Sequence, residues 1–357
     1  MSRPTAHRPV RAFTLVELLT VIAIISLLIA ILIPSLRNAR VQAKNLSIKA
    51  EINVIEKALE QFKNENEKEF RSTNGYPPSY WDPSATDPFQ KGEDETETSD
   101  QQLYGAQWLV RHLMGKNLDG FVPKRNVPSN MQVAPTNVTP YAQNGWYDIT
   151  AASANKPLDR VGPYLNVDQV KVVKPAELSG TKNDALWTSM QWPKIGQEEV
   201  IIDKFDTPIL YYVANPLGRV LASENSLPYG TPVQPGSFRH WDNAGFTGYK
   251  TGSATADVGW NFGGGPHPIG KFAPNGFNPS GGTPIDLDDA ANRDTFVSYI
   301  HDHNHHKAAI NTSGAMPTIP DTYRYQAANK DRFLLISAGE DHVYGTKDDI
   351  KNFDAPE

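Results

Sequence analysis

The spacing of apolar residues changes character twice along this chain. From Phe13 to Pro34 nearly every position is apolar, and the nineteen residues from Leu18 to Leu36 carry no charge. At 1.5 Å per residue such a helix spans roughly 28 Å, close to the thickness of a bilayer core. The apolar part of a cleaved secretory signal runs only about 7–15 residues, and no small-x-small cleavage site follows this one. The segment reads as a retained membrane helix. Beyond Pro34 the apolar positions thin to a stripe, Ile48, Ile52, Ile55, Leu59 and Phe62, with Glu51, Glu56, Lys57, Glu60, Lys63 and Glu65 lying off it. That is the period of an amphipathic helix packed on its own chain. No Gly lies between Phe13 and Thr73, and Pro34 is the only Pro there. The pattern predicts one helix from about Phe13 to about Lys68, roughly 84 Å long at helical rise. Pro34 leaves the carbonyl of Ala30 unpaired and should loosen the helix locally.

Further on, the pattern becomes short and broken. Asn74-Gly-Tyr-Pro-Pro78 stops the helix, and the polar, acidic run from Asp82 to Asp100 reads as an exposed loop. Gln107 to Met114 predicts a short helix with Trp108, Leu109 and Leu113 inward. Between Gly120 and Trp187 periodicity is weak. Val200 to Ala214 is the clearest strand material, two runs around Asp206-Thr-Pro208, and Phe333 to Ser337 is the last strand. Asn215 to about Arg324 is rich in Gly, Pro, Asn and aromatic residues. No internal repeat is evident. The resulting fold class is α+β, with a long helix, a small antiparallel sheet and large loop insertions.

Composition narrows the function. The 357 residues hold 28 Pro and 26 Gly, so much of the chain must be loop. The net charge of −6 argues against a chain that wraps nucleic acid, and none is expected as a partner. The absence of Cys excludes disulfides, iron–sulfur clusters, thiolate zinc sites and a cysteine nucleophile. Arg3, Arg8 and Arg11 precede the apolar segment, whereas Arg37, Arg40, Lys44 and Lys49 follow it, so positive charge alone does not orient the span. Glu17 stands out. A carboxylate there either marks the polar end of the helix, where it favours the N-terminus, or awaits a cationic partner.

Ala12-Phe13-Thr14-Leu15-Val16-Glu17-Leu18-Leu19 resembles the cleavage-and-methylation signal of type IV pilins and type II secretion pseudopilins. The resemblance implies cleavage between Ala12 and Phe13 by a prepilin peptidase, N-methylation of Phe13, and assembly roles for Glu17 and Pro34. Ala12 departs from the Gly usual before the cut. Loss of the basic leader would take the net charge from −6 to about −9 through its three Arg. Physically, the new amine of Phe13 and the Glu17 carboxylate of a neighbouring subunit could neutralise each other in apolar surroundings, where either alone would be costly. Asn74 to Pro78 is similar to the family's Gly-x-Tyr-Pro turn. Residues 203–208 are similar to its Asp-x-Trp-Gly-x-Pro strand pair, with Phe205 and Asp206 in place of Trp-Gly. In all the resemblance covers roughly residues 8–80, 200–214 and 331–353. It implies a leader at 1–12, a transmembrane half-helix at 13–36, an amphipathic stalk at 37–70 and a periplasmic domain at 71–357. Insertions would fall near 82–190 and 215–325.

Two clusters carry candidate chemistry. Glu340, Asp341, Asp348 and Asp349 bracket a Gly-containing turn, and hard carboxylate oxygens suit calcium, although a bare acidic turn is usually just solvated. The turn resembles the C-terminal calcium loop of the major pseudopilins. That resemblance implies Asp341, Asp348 and Asp349 as ligands, with carbonyls near Ser337 and Val343, and His342 in place of the usual Gly. The second cluster, His301, His303, His305 and His306, could ligate zinc, but no companion ligand motif is found and an exposed polar loop explains it more simply. Asp286, Asp288, Asp289 and Asp294 read as capping residues, and Trp241, Phe246, Tyr249, Trp260 and Phe262 as a local aromatic core.

The expected function is structural, not enzymatic: a pseudopilin polymerising through its helix into a short periplasmic filament that serves protein export. Its partners would be other pilin-like subunits, the prepilin peptidase, an inner-membrane assembly platform and membrane lipid. The alternatives are a type IV pilus subunit for adhesion or DNA uptake, or a membrane-anchored module using the histidine cluster.

Overall fold

The computed structural model describes residues 15–68, 70, 73–79, 103–115, 118–120, 161–178, 198–216, 218, 237–248, 267–271, 295–302 and 326–353. Its first element is α1, Leu15–Asn66, a helix of 52 residues with Pro34 inside it. The helix ends two residues before the predicted Lys68, and its predicted first residue, Phe13, lies outside the described residues. The chain forms two units, Met1–Leu46 and Ser47–Glu357. In the first, Leu18, Ile25, Leu28, Ile31 and Ile33 are all exposed among the described residues. Among the described residues α1 is the one helix long and apolar enough to cross a membrane.

The second unit begins where the stripe begins. Ile48, Ile52, Ile55, Leu59 and Phe62 are all buried, as their spacing predicts. The other elements are α2 (Gly105–Met114), β1 (Lys171–Val173), β2 (Val200–Ile202), β3 (Leu210–Val213), α3 (Ala244–Thr247), α4 (Phe296–Ile300), β4 (Phe333–Ser337) and β5 (Ile350–Lys351). Strands β1 and β2 pair antiparallel, Val172 opposite Ile201. Strand β4 lies between β3 and β5, antiparallel to both, with Tyr211 opposite Leu335 and Ser337 opposite Ile350. The class is α+β with small antiparallel sheets, as expected from the sequence.

Both faces of the three-stranded sheet are covered, which is why β3 and β4 read as continuous apolar runs rather than alternating ones. Leu210, Tyr212, Leu334 and Ile336 join one core with Phe238, Phe246, Ile269, Phe296, Val297 and Ile300. Six of these partners come from the stretch read from sequence as a loop insertion, so the described parts of 215–325 build the core. On the opposite face Phe333 packs edge-on against Tyr76, their ring centres 5.0 Å apart. The hydroxyl of Tyr211 donates to the carbonyl of Pro77 at 2.7 Å. Polar ties fix α1 to β4, β5 and the β2–β3 turn. Arg332 pairs with Glu60 at 2.6 Å, the Asn352 amide donates to Glu56 at 3.1 Å, and Lys204 pairs with the buried Glu51.

The outer edge of β3 is closed by side chains rather than by another strand. The Asn243 amide donates to the carbonyl of Tyr211 at 2.8 Å, and the amide of Val213 donates to Ser79 Oγ at 3.0 Å. Gly105 is required at this junction, because a Cβ there would stand 2.0 Å from the Tyr211 carbonyl oxygen. Helix α2 is buried on every side, not only through Trp108, Leu109 and Leu113. Its His112 packs among Phe62, Phe70 and Trp108, and burial pushes the imidazole down to about 3, so it is neutral at pH 7.

Candidate functional site

Two regions carry the residues singled out above. In the first, Ala12 and Phe13 lie outside the described residues. Glu17 sits in the first turn of α1, where the positive end of the helix dipole favours a carboxylate. Its main-chain carbonyl accepts from Thr20 Oγ1 at 3.0 Å. Pro34 lies in the helix interior, and the helix runs on through it.

The second region is the turn between β4 and β5, where side chains and main chain are bound to one another at almost every residue. Gly339 takes a φ of +69°, and a Cβ on it would meet the Asp348 carbonyl oxygen at 2.4 Å. The chain therefore folds tightly back on the acidic pair. Asp348 Oδ2 accepts from the Asp341 amide at 3.0 Å, and Asp341 Oδ1 accepts from the Val343 amide at 2.8 Å. Thr346 Oγ1 donates to Asp348 Oδ1 at 2.7 Å. Asp349 Oδ2 accepts from the Gly345 amide at 2.7 Å and from the Tyr299 hydroxyl at 2.5 Å, while its Oδ1 accepts from Thr346 Oγ1 at 3.4 Å. Tyr344, buried, donates through its hydroxyl to the Pro208 carbonyl at 2.5 Å and through its amide to His267 Nδ1 at 3.1 Å.

Electrostatics separate these acids. Burial raises the Asp341 carboxyl above its usual range, and the neighbouring Asp348 charge adds to the rise. Burial pushes Asp349 up to about 7, again with a contribution from Asp348. Crowded like charges of this kind favour a cation, so Asp341 and Asp348 fit the donor chemistry calcium takes. Asp349 stays beside them, its Oδ1 3.4 Å from the same Thr346 Oγ1 that binds Asp348, while its Oδ2 accepts from Tyr299. Among the described residues no group of three or more His, Asp or Glu side chains is arranged to hold a metal ion. Tyr299 and Thr346, which complete the turn, are not marked by any sequence motif.

His342 takes a φ of +60° and Asp206 a φ of +63°, the left-handed region that favours Gly. At each position the resembling family pattern has Gly. His342 stands edge-on to Phe205, with ring centres 6.3 Å apart. Beneath this contact lies Asp203, the first residue of the strand-pair pattern and almost fully buried. Its Oδ1 accepts from the amides of Phe205 and Thr207 at 2.8 and 3.0 Å, and its Oδ2 from the hydroxyls of Thr207 and Ser337, both at 2.6 Å. It joins the β2–β3 turn to the end of β4.

Of the histidine cluster, His301 is fully buried at the end of α4, in a bridge with Ala327, with Nδ1 3.2 Å from the Ser298 carbonyl oxygen. His303, His305 and His306 lie outside the described residues, as do Asp286, Asp288, Asp289, Asp294, Tyr249, Trp260 and Phe262. Phe246 is buried in the core.

The architecture is thus an apolar N-terminal helix joined to a small antiparallel α+β domain, consistent with a pilin-like fold. A family model described as the prokaryotic N-terminal methylation motif matches residues 7–33, a motif typical of type IV pilins and pseudopilins. The match spans Phe13, Glu17 and the greater part of the apolar segment, and it bears out the resemblance read from those residues. No curated protein and no solved structure matches the chain.

Proposed function

We propose that this chain is a structural subunit of a pilin-like filament, and specifically a pseudopilin of a type II secretion-type pseudopilus. The observation that carries the reading is the methylation motif at residues 7–33 running directly into an uncovered apolar helix. Cleavage before Phe13 creates an amine at the head of the helix, five residues from the Glu17 carboxylate when both ends are counted. Subunits then stack through their helices, with that amine and a neighbour's Glu17 neutralising one another. The domain that begins near Ser47 lies in the periplasm, and the assembled filament pushes cargo outward. No catalytic residue is assigned. Calcium at Asp341, Asp348 and Asp349, aided by turn carbonyls, would pin the last turn to the sheet, a stabilising role. Zinc at His301, His303, His305 and His306 is the second cofactor the sequence offers; of these His301 lies among the described residues and is buried.

Intact-mass measurement of the membrane-purified protein tests the class. A chain beginning at N-methylated Phe13, formed only when prepilin peptidase is present, is the expected result. A chain retaining residues 1–12 in the presence of the peptidase refutes the proposal. Loss of protein export on deletion supports the pseudopilus, whereas filaments reaching beyond the cell surface would assign the subunit to a pilus.

A further inference from the structure

We propose that the polar groove between α1 and the start of β4 receives α1 of a second copy, parallel to the first and displaced along it by three residues, roughly 4.5 Å of rise. The inference rests on reading the chain as a filament subunit, and names the face through which its stalk meets the next one. The groove, about 540 Å³, is lined on α1 by two rows, Asn53, Lys57 and Gln61 and then Glu56, Glu60 and Asn64, with Arg332 at its other wall. The rows lie about 60° apart round the helix. The first row offers an ammonium and two amides, all exposed. Among the described residues the side chains of Asn53, Lys57 and Asn64 make no hydrogen bond or ion pair. Gln61 donates a long one, 3.4 Å, to Glu65.

The carboxylates of the second row are held by their own domain. Glu60 Oε1 accepts from Arg332 at 2.6 Å and from the Tyr76 hydroxyl at 2.9 Å, and Glu56 Oε1 accepts from the Asn352 amide at 3.1 Å. In both acids the bonds fall on Oε1, which leaves Oε2 to accept from outside the domain. The two rows are therefore complementary to each other. Under the proposed shift Asn53 of one copy meets Glu56 of the next, Lys57 meets Glu60 and Gln61 meets Asn64, a donor opposite an acceptor each time. In register, by contrast, Lys57 would face Lys57 and Glu60 would face Glu60, and like charges repel. An antiparallel pair also joins Lys57 to Glu60, but it points the two apolar halves in opposite directions, which one membrane does not allow. Because the rows differ, the contact is heterologous and leaves one row open at each end, so it repeats rather than closes. Exposed ion pairs add little affinity each, so the groove sets register while the apolar half of α1 supplies the attraction.

The test uses the full chain in detergent micelles. The chain has no Cys, so introduced ones report contacts between copies alone. Differently tagged Gln61→Cys and Asn64→Cys copies, mixed and oxidised, should form a mixed disulfide. Lys57→Glu replaces attraction by repulsion and should weaken self-association about tenfold at low salt, with melting unchanged, whereas Lys57→Arg keeps it. Added salt should reduce the difference. Self-association that Lys57→Glu leaves unaltered overturns the proposal. Cross-linking of Asn53→Cys to Asn64→Cys copies in preference overturns it in favour of an antiparallel pair. A chain that stays monomeric in every detergent refutes the filament reading as well, whereas self-association without the mixed disulfide refutes this inference alone.

Discussion

Asp203 offers the sharpest check on how the domain is held together. Its carboxylate is almost fully buried and receives four donors, two amides and two hydroxyls, from the β2–β3 turn and the end of β4. Asp203→Ala removes the acceptors and leaves those donors without partners in a dry interior. An orphaned buried donor costs about 1–3 kcal/mol, and partial relaxation brings the four to a total of about 3–5 kcal/mol. For a domain of this size that lowers the melting temperature by on the order of 10 °C. Asp203→Asn should behave differently. The amide oxygen keeps the Phe205 and Thr207 amides, and the new NH₂ can donate to the two hydroxyls, which rotate to accept, for a cost of about 1 kcal/mol. Burial raises the Asp203 carboxyl, against the pull of its hydrogen bonds. The native state thus holds its proton where the unfolded chain has released it, and stability is lost as pH rises above about 3.9 towards the native value. The deficit of the Asn variant relative to wild type should therefore shrink as pH rises. Thermal and urea melts of the detergent-solubilised chain from acid to neutral pH provide the measurement. Equal melting of the Ala and Asn variants would refute the reasoning, because it would mean that the four hydrogen bonds are not what Asp203 supplies.

Three further perturbations follow from the same geometry. Burial pushes Asp242, which accepts from the Ser79 hydroxyl, up to about 8; its contribution to stability should decline between about pH 4 and pH 8, and Asp242→Asn should flatten that slope in pH-dependent melts. Gly105→Ala drives a Cβ into the Tyr211 carbonyl and should destabilise by about 2–3 kcal/mol, where a melting curve unchanged from wild type would show that the helix–strand junction yields freely. If calcium binds the β4–β5 turn, Asp348→Ala should remove the calcium-induced rise in melting temperature; a wild type that melts alike with calcium and with chelator sinks the assignment.

Much of this protein is legible locally. The uncharged run from Leu18 to Leu36, the stripe from Ile48 to Phe62 and the absence of Gly fix α1, because helix formation and amphipathicity depend on near neighbours in sequence. The apolar runs at 200–213 and 333–337 likewise announce their strands. The methylation motif is also local, since a peptidase reads contiguous chain. What the sequence did not reveal depends on residues far apart. Phe238, Phe246, Ile269 and Phe296 sit in short, irregular segments with no period, and only their packing on Leu210, Tyr212 and Leu334 makes them core. The acidic turn looked uniform along the chain. Tertiary structure differentiates it, giving Asp349 a hydrogen bond from Tyr299, fifty residues earlier, that Asp341 and Asp348 do not share. His301 reads in sequence as part of an exposed polar loop, yet it is bridged to Ala327 and buried. Sequence by itself determined the helix, strands β2, β3 and β4 and the processing signal, whose physics is short-ranged. Strand β1, in a stretch without period, and β5, which follows the segment read as the last strand, are two or three residues long and exist only through their pairing. Which polar groups became partners and which loops became core was settled only by folding, because desolvation and hydrogen bonding depend on what arrives from elsewhere in the chain.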